Sequence, residues 1–338
     1  MRVRHLTAKS LLATTLLVSA MALTACGSPG SGGGEPEPTT DASASGTACE
    51  PIAGDKLVVL TDDKGLQNAD NIIPAVNKDA ATKHPAIIDL LNTVSAALDT
   101  DKLIQLNKAV DIDRKTSSEV AKEFVATEGL AATDKSQSGK LQVGAANFSE
   151  SSTLAEIYGE VLRSAGFDVT VRTIGSRETY LPALEKGEDG LAVIPEYAAT
   201  LADFINADIN GAEAKSVASD DVDATVAALT PLAAQKNLVV GKPSAAQDQN
   251  AFAVTKEFAD AHKVTSLSEL AAACPGGLSL AGPAECPDRP FCQPGLEQTY
   301  GLKFTDFGSY DFGLIGGMVR DGKQALGLVL SSDGSLAS

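Results

Sequence analysis

Residues 140–150 read KLQVGAANFSE, a stretch in which an apolar β-type run ends in a polar loop that leads into a helix. The helix is indicated by apolar residues that recur at intervals of three and four, namely Leu154, Ile157, Tyr158, Val161 and Leu162. Gly166 is suited to end this helix, and a second β-type run, DVTVR, follows at 168–172. Strand, helix and strand in this order predict a unit in which a helix connects two parallel strands.

The same alternation of β-type runs and helical segments extends over most of the chain. Further β-type runs stand at 56–60, 190–194, 237–240 and 325–330. Helical spacing recurs over 87–98, and Thr116 with Glu119 forms a capping box that opens another helix. The pattern predicts an α/β fold with mainly parallel sheets.

The N-terminal part of the chain has the features of an export signal and a tether. Residues 1–25 combine a basic start with an apolar run too short to span a bilayer, which predicts a signal peptide. The run ends in LTAC, which resembles a bacterial lipoprotein signal and predicts an acylated Cys26; a free thiol or a disulfide partner is the alternative. Residues 26–48, rich in Gly, Ser, Thr and Pro, predict a disordered tether. We therefore expect a lipid-anchored protein on the outer face of the cytoplasmic membrane.

The charge and the motifs of the chain argue against several functional classes. The 338 residues carry a formal net charge of −17. The charged residues of the predicted signal peptide are all basic, so its removal makes the protein more negative. Such an acidic protein is repelled by nucleic acid, so no nucleic-acid partner is expected. The sequence contains no nucleotide-binding loop, no nucleophile elbow and no zinc-protease motif. We therefore expect neither an enzyme nor a cofactor.

Four cysteines follow the predicted tether, and an even number suggests disulfides in an exported protein. Cys286 and Cys292 flank a short proline-containing loop and form the expected pair. Cys49 and Cys274 then pair by elimination. A metal site is not expected, because the three histidines are scattered along the chain.

Three motifs give the sequence a resemblance to a known family. Residues 144–150 read GAANFSE, residues 194–200 read IPEYAAT and residues 289–296 read RPFCQPGL. In this order they resemble the motifs of the binding proteins of osmoprotectant importers for glycine betaine, choline and carnitine. The resemblance implies a type II periplasmic-binding-protein fold, with two lobes, a hinge and a ligand cleft between the lobes. It also implies a monomeric receptor that delivers a small zwitterion or cation to an ABC permease and its ATPase.

The order of the segments differs from the order usual in that family. Residues 57–130 resemble the C-terminal block of the family, yet here they come first. The chain instead ends with SSDGSL at 331–336, which resembles the segment that normally precedes this block. We therefore predict a circular permutation in which 131–139 join the former termini. The resemblance then predicts one lobe split between 49–70 and 248–338, and one continuous lobe at 71–247.

The resemblance also implies which residues bind the ligand. Tyr197 matches a tyrosine of the aromatic cage around a quaternary ammonium group, which cannot donate hydrogen bonds and is held by π-faces. Thr200 matches a threonine that contacts the ligand beside this tyrosine. Arg289 matches an arginine that grips the carboxylate of the ligand.

Other positions depart from the pattern of the family. Asp70, Asn250 and Leu330 stand where the family has cage tyrosines. Asp70 and Asn250 suit a ligand with N–H donors or a cation neutralised by a carboxylate. Asn147 and Ser149 of the first motif complete the predicted binding set. Each predicted residue also has a purely structural interpretation, such as packing, helix capping, solvation in a turn or an ion pair.

The sequence favours a transport receptor for a betaine-like quaternary amine. A receptor for another zwitterion, such as ergothioneine or an amino-acid derivative, is the alternative within the same class. A sensory lipoprotein that keeps the binding fold, and an exported enzyme with an unrecognised site, are the alternatives from other classes.

Overall fold

The computed structural model describes residues 48–211 and 214–337. The predicted signal peptide, Cys26 and nearly all of the predicted tether lie outside the described residues. The described chain forms two lobes, each with its own five-stranded sheet and its own apolar core. None of the described helices is long and apolar enough to cross a membrane.

Ten strands are present in the described residues. They are β1 (Leu57–Leu60), β2 (Ile72–Asn77), β3 (Lys140–Ala146), β4 (Asp168–Gly175), β5 (Leu191–Tyr197), β6 (Leu238–Val240), β7 (Asn250–Thr255), β8 (Leu278–Gly282), β9 (Phe304–Ser309) and β10 (Leu326–Leu330). Lobe 1 contains the sheet with the order β1-β7-β10-β8-β9. Lobe 2 contains the sheet with the order β4-β3-β5-β2-β6.

The helices pack around these two sheets. Those of lobe 2 are α1 (Lys78–Lys83), α2 (Ala86–Ala97), α3 (Thr100–Asp111), α4 (Ser117–Thr127), α5 (Ser149–Ser164), α6 (Arg177–Lys186), α7 (Ala198–Asn210) and α8 (Val222–Gln235). Those of lobe 1 are α9 (Lys256–His262), α10 (Leu267–Ala273), α11 (Gln293–Gly295) and α12 (Phe312–Arg320).

Two helices show how closely local sequence determines the elements. The five apolar residues that indicated a helix after residue 150 are all buried on α5. The predicted capping box is confirmed at the start of α4, where the Thr116 hydroxyl accepts from the Glu119 N–H and the Glu119 carboxylate accepts from the Thr116 N–H. This arrangement satisfies two backbone donors that the first turn of a helix leaves unpaired.

The prediction of mainly parallel sheets is wrong, since both sheets are mixed. In lobe 2, β2 pairs antiparallel with β5 and with β6. In lobe 1, β7 pairs antiparallel with β1 and with β10. Each of these two strands directly follows a segment that crosses between the lobes, so it enters its sheet from the hinge rather than through a helical connection. Two of the four parallel pairs, β3 with β4 and β8 with β9, are consecutive strands joined by helical segments, the type of connection that parallel neighbours need.

The crossing segments lie side by side and form the hinge. Asn71 forms an isolated antiparallel bridge with Gln247, and the Asp248 N–H donates to the carbonyl of Asp70 at 3.1 Å. A third segment begins at Ser331, whose N–H donates to the carbonyl of Gln249 at 2.9 Å. Because hinges absorb the rotation when two domains close, side chains in these segments can respond to a ligand held between the lobes.

Two disulfides stabilise lobe 1, and they join the pairs expected from the sequence. Cys49 is bonded to Cys274, and Cys286 is bonded to Cys292. His262 lies beside the first bridge and completes one group of potential metal ligands in the described residues. The two cysteine sulfurs of that group are already bonded to each other, so the group offers no thiolate to a metal.

Candidate functional site

A cavity of about 560 Å³ opens between the two lobes beside the hinge. We call it the inter-lobe cavity, and it is lined by Gln67, Asn68, Asp70, Phe148, Tyr197, Ala199, Thr200, Asp203, Phe204, Asp248, Gln249, Asn250, Phe291 and Leu330. Three aspartates and four aromatic rings take part in this wall, whereas no lysine or arginine of the described chain does. Such a wall favours a cation, because carboxylates attract positive charge directly and aromatic faces attract it through their quadrupole.

Tyr197 is held in place by a buried carboxyl group. It is the last residue of β5, its side chain is almost fully buried, and its hydroxyl donates to Glu150 Oε1 at 2.7 Å. Its ring lies 6.2 Å from that of Phe148, which is exposed at the mouth of the cavity. Burial raises the pKa of the Tyr197 hydroxyl, so this group stays a neutral donor.

Glu150 and Asp248 form an acidic pair beside the cavity: Asp248 lines it, whereas Glu150 lines an adjoining cavity. Glu150 lies in the first turn of α5, is 5% exposed, and also accepts from Asn107 Nδ2 at 2.5 Å. Asp248 accepts from the hydroxyl of Ser332 at 2.8 Å. Burial raises the pKa of Glu150, and burial together with the charge of Glu150 raises the pKa of Asp248 to about 8. At neutral pH the pair therefore retains a proton, and the positive charge of a bound cation would favour its release.

Asp70 forms the second acidic point of the wall. Thr200 binds it with both of its donors: the backbone N–H reaches Asp70 Oδ1 at 3.0 Å and the hydroxyl donates to Oδ2. Burial raises the pKa of Asp70 to about 6, although the hydrogen bonds from Thr200 oppose the shift. Asp70 is consequently mostly ionised at pH 7 and supplies a negative charge where the family pattern has an aromatic ring.

A buried ion pair between Arg177 and Glu196 lies next to the cavity wall. Glu196 is fully buried, and both Arg177 Nη2, at 2.8 Å, and the hydroxyl of Tyr180, at 2.7 Å, donate to its carboxylate. The Arg177 guanidinium also lies 5.9 Å from the centre of the Phe204 ring. Because Glu196 offsets the charge of Arg177, this arginine fixes β5 and α6 rather than offering a free cation to an anionic ligand.

The structure brings four of the seven predicted binding residues to the inter-lobe cavity: Tyr197, Thr200, Asp70 and Asn250. Ser149 lines an adjoining cavity of about 640 Å³, which shares Phe148, Asp248 and Leu330 with the first. Asn147 is exposed and lines neither cavity.

Arg289 differs from the expectation that it grips a ligand carboxylate. Its side chain is 68% exposed, faces Glu285 at 3.5 Å, and lines neither cavity. The loop closed by Cys286 and Cys292 presents Phe291 to the cavity instead. A motif match does not specify the direction of this loop, so a role of Arg289 in gripping a carboxylate stays a prediction.

We expect the substitution Arg289→Ala to change ligand affinity by less than about twofold, because an exposed ion pair contributes little. Isothermal titration calorimetry of both proteins with the same quaternary ammonium ligands measures this. A tenfold loss confined to ligands that carry a carboxylate would restore Arg289 to the site.

Glu150 and Asp248 are not among the binding residues predicted from the sequence. Glu150 directly follows Ser149, and Asp248 lies two residues before Asn250. Neither has a local pattern that distinguishes it from the many surface carboxylates of this acidic chain. Their burial and their proximity appear only in the folded protein.

The acidic pair predicts a specific dependence of stability on pH. A carboxyl group with a raised pKa keeps its proton in the folded state at pH values where the unfolded chain has lost it, so stability decreases as pH rises. For Asp248, with Glu150, Asp70 and the Ser332 hydroxyl facing it, this window runs from about pH 4 to about pH 8. We expect Asp248→Asn to stabilise the ligand-free protein, relative to the wild type, by on the order of 2 kcal/mol more at pH 8 than at pH 5.

Urea unfolding of both proteins at the two pH values measures this difference. The comparison cancels the repulsion caused by the overall negative charge, since both proteins carry nearly the same net charge. If the difference in unfolding free energy between Asp248→Asn and the wild type is the same at pH 5 and pH 8, the acidic pair does not retain a proton in the folded protein.

A family model assigns the chain to a group of known proteins. The model for the substrate-binding domain of ABC-type glycine betaine transport systems matches residues 50–127 and 139–320, which is more than half of the chain. The chain belongs to this family. The family is one of substrate-binding domains rather than of enzymes, and it is the family that the three motifs resemble.

Individual relatives are more distant from this substrate-binding protein. A glycine-betaine-binding protein of Pseudomonas aeruginosa is 34% identical over 85 residues, which span 25% of this chain and 27% of that protein. The crystal structure of a glycine betaine/carnitine/choline ABC transporter protein matches 60% of this chain and 71% of its own, with 20% identity and a TM-score of 0.45. Apo YehZ from Escherichia coli matches 59% of this chain and 72% of its own, with 24% identity and a TM-score of 0.49. The assignment therefore rests on the family model.

Proposed function

We propose that this protein is an extracytoplasmic receptor that captures a small organic cation in the inter-lobe cavity and delivers it to an ABC permease and its ATPase. The observation that carries the proposal is the composition of the cavity wall, which combines acidic groups and aromatic rings and lacks a basic side chain among the described residues. The lipoprotein-type sequence before Cys26 supports an anchor on the outer face of the cytoplasmic membrane. Radiolabelled palmitate incorporation that is lost in Cys26→Ala tests this anchor.

The chemistry of the wall favours a ligand of the choline type over glycine betaine itself. A quaternary ammonium group needs rings and negative charge, which Tyr197, Asp70 and Asp248 supply. A zwitterion as short as glycine betaine would place its own carboxylate beside these aspartates. Like charges placed together in an interface cost several kcal/mol, so such a ligand is disfavoured.

Calorimetric titration with choline, glycine betaine and carnitine tests this preference. We expect choline to bind at least about tenfold more tightly than glycine betaine. A folded protein that binds neither ligand, in calorimetry and in thermal-shift measurements, would refute the proposal. Turnover of a bound ligand would point instead to an exported enzyme.

One observation favours a second candidate, a longer zwitterion. Arg320 lines the adjoining cavity but not the inter-lobe cavity. A ligand whose ammonium group lies near Tyr197 and whose carboxylate reaches Arg320 would use both cavities. Tighter binding of carnitine, ergothioneine or an amino-acid derivative than of choline, together with selective weakening by Arg320→Gln, would support this candidate.

We also propose that the chain is circularly permuted relative to its family. Leu336 packs against the same apolar cluster as Leu57, so the two regions that the family pattern joins lie close together in lobe 1. The family model also matches in two separate segments, 50–127 and 139–320. Nearby surface positions are where a permuted chain can be cut and joined.

A rearranged chain tests the permutation. It begins at Lys140, runs to Ser338 and continues from there into residues 56–130. We expect it to fold and to bind choline with an affinity within about threefold of the original, because the same contacts form. An insoluble or unfolded rearranged chain would contradict the proposed equivalence.

A further inference from the structure

The segment Ser331–Ala337 leaves lobe 1 at the end of β10 and lies against α3 of lobe 2. The carbonyl of Ser332 accepts a hydrogen bond from Asn107 Nδ2 at 2.8 Å. Gly334 is buried, and a Cβ atom at this position would lie 2.6 Å from the backbone N of Lys108. The backbone of the segment therefore rests directly on the backbone of α3, an approach that only glycine permits at this point.

The same segment also contacts lobe 1. Leu336 packs against the apolar cluster that contains Leu57, Val319 and Val329. Ser331 accepts from the backbone N–H of Gln249 at 3.0 Å through its hydroxyl. The segment is thus held between the lobes, and its contacts with α3 are non-covalent.

Hydrogen bonds connect this segment with the acidic pair of the inter-lobe cavity. The Asn107 side-chain amide has two N–H donors, and it gives one to Glu150 and the other to the carbonyl of Ser332. The hydroxyl of Ser332 donates to Asp248. Glu150 is therefore linked to the segment through Asn107, and Asp248 is hydrogen-bonded to it directly, so a change in the charge or position of either carboxyl group affects the segment.

We propose that residues 331–337 form a strap, a releasable third link between the lobes whose position on α3 is coupled through Asn107 and Ser332 to the occupancy of the inter-lobe cavity. The proposal rests on the proposed function in one respect, namely that the ligand in the inter-lobe cavity is a cation. The two covalent crossings leave the lobes free to rotate about the hinge, and a third contact restricts that rotation. A strap that favours the binding-competent arrangement raises the apparent affinity, because less binding energy is spent on selecting it.

The substitution Gly334→Ala tests the strap without altering any side chain of the cavity. The added methyl group meets the backbone of Lys108 and should displace the strap from α3. The matched control is Gly317→Ala on α12, where an added Cβ has nothing within 4 Å. A chain that ends after Asp333 removes the same contact by another route and guards against a local folding defect in the first variant.

Two measurements are made on all proteins: amide hydrogen exchange of residues 100–111 and calorimetric binding of choline. Without ligand, we expect exchange in this region to rise about tenfold in Gly334→Ala and in the shortened chain, but not in the control. We expect choline affinity to fall about five- to tenfold in the same two proteins. Choline should slow exchange of residues 100–111 in the wild type and in the control, but not in Gly334→Ala or in the shortened chain.

The outcomes separate this inference from the proposed function. If the wild type binds none of choline, glycine betaine and carnitine, the proposed function fails, while the exchange data without ligand still report whether the strap rests on α3. If the wild type binds choline and Gly334→Ala matches Gly317→Ala in both measurements, the strap proposal is refuted.

Discussion

Replacing Asp248 with asparagine is expected to weaken the binding of a quaternary ammonium ligand by about 10- to 100-fold at pH 8.5. The substitution keeps the shape of the side chain and its hydrogen bond with Ser332, so the main change is the loss of a carboxylate that faces the cavity. A unit charge about 5 Å from a cation contributes on the order of 3 kcal/mol at the effective dielectric constant of a protein surface. The expected loss of binding free energy is about half to nearly all of this interaction energy, because the carboxylates of Asp70 and Glu150 remain and still attract the cation.

The effect of Asp248→Asn on ligand affinity should also depend on pH, and the raised pKa of Asp248 determines the direction of this dependence. The pKa of Asp248 is about 8, so binding a cation at lower pH requires the release of a proton. The affinity of the wild type should therefore rise between about pH 6 and pH 8.5, and the difference from the variant should shrink towards pH 6.

Calorimetry at pH 6, 7 and 8.5 in buffers of different ionisation enthalpy measures both the affinity and the proton release. The matched control is Asp220→Asn, which removes an exposed carboxylate outside the cavity. The control should stay within about twofold of the wild type at every pH. A pH-independent affinity in the wild type, with Asp248→Asn equal to it, would exclude the acidic pair from the binding site.

Tyr197 provides the second large effect, and a pair of variants isolates its aromatic face. Tyr197→Phe and Tyr197→Leu both remove the hydroxyl that donates to Glu150, and both keep a large apolar side chain at a buried position. They differ in the π-face. We expect Tyr197→Leu to bind a quaternary ammonium ligand about 5- to 30-fold more weakly than Tyr197→Phe, which corresponds to a cation–π contribution of about 1–2 kcal/mol.

A neutral ligand of the same shape is the control for this pair. The tert-butyl analogue of choline has a quaternary carbon in place of the nitrogen, so it fills the same volume without a charge. Its affinity should be equal in Tyr197→Phe and Tyr197→Leu. If choline also binds equally to both variants, Tyr197 has a packing role and the cation lies elsewhere.

The sequence predicted those elements whose apolar residues follow a regular period. Strands β3 and β4 and helix α5 were indicated because their side chains alternate or recur on one face against a single core. Strand β2 was missed, since Pro74 interrupts a run of only six residues. In the structure Pro74 pairs with Pro195 of β5, so the two residues that lack a backbone N–H lie opposite each other.

The site was predictable where a motif matched and where the chain direction fixed the side chain. Tyr197 ends strand β5 and Thr200 lies in the first turn of α7, and both line the inter-lobe cavity. Arg289 lies in a loop closed by a disulfide, whose orientation no motif encodes. Asp70 became part of the site through Thr200, 130 residues later in the chain.

The sequence by itself determined the α/β class, the cysteine pairing that the structure contains, and the family to which the chain belongs. These properties follow from periodicity, residue counts and local motifs, which are all short-range. The tertiary structure decided that the cavity is acidic and that the C-terminal segment touches it. Glu150, Asp248 and Ser332 are far apart in the chain. Only the packing of the two lobes at the hinge buries them together, and this burial raises the pKa of the two carboxyl groups.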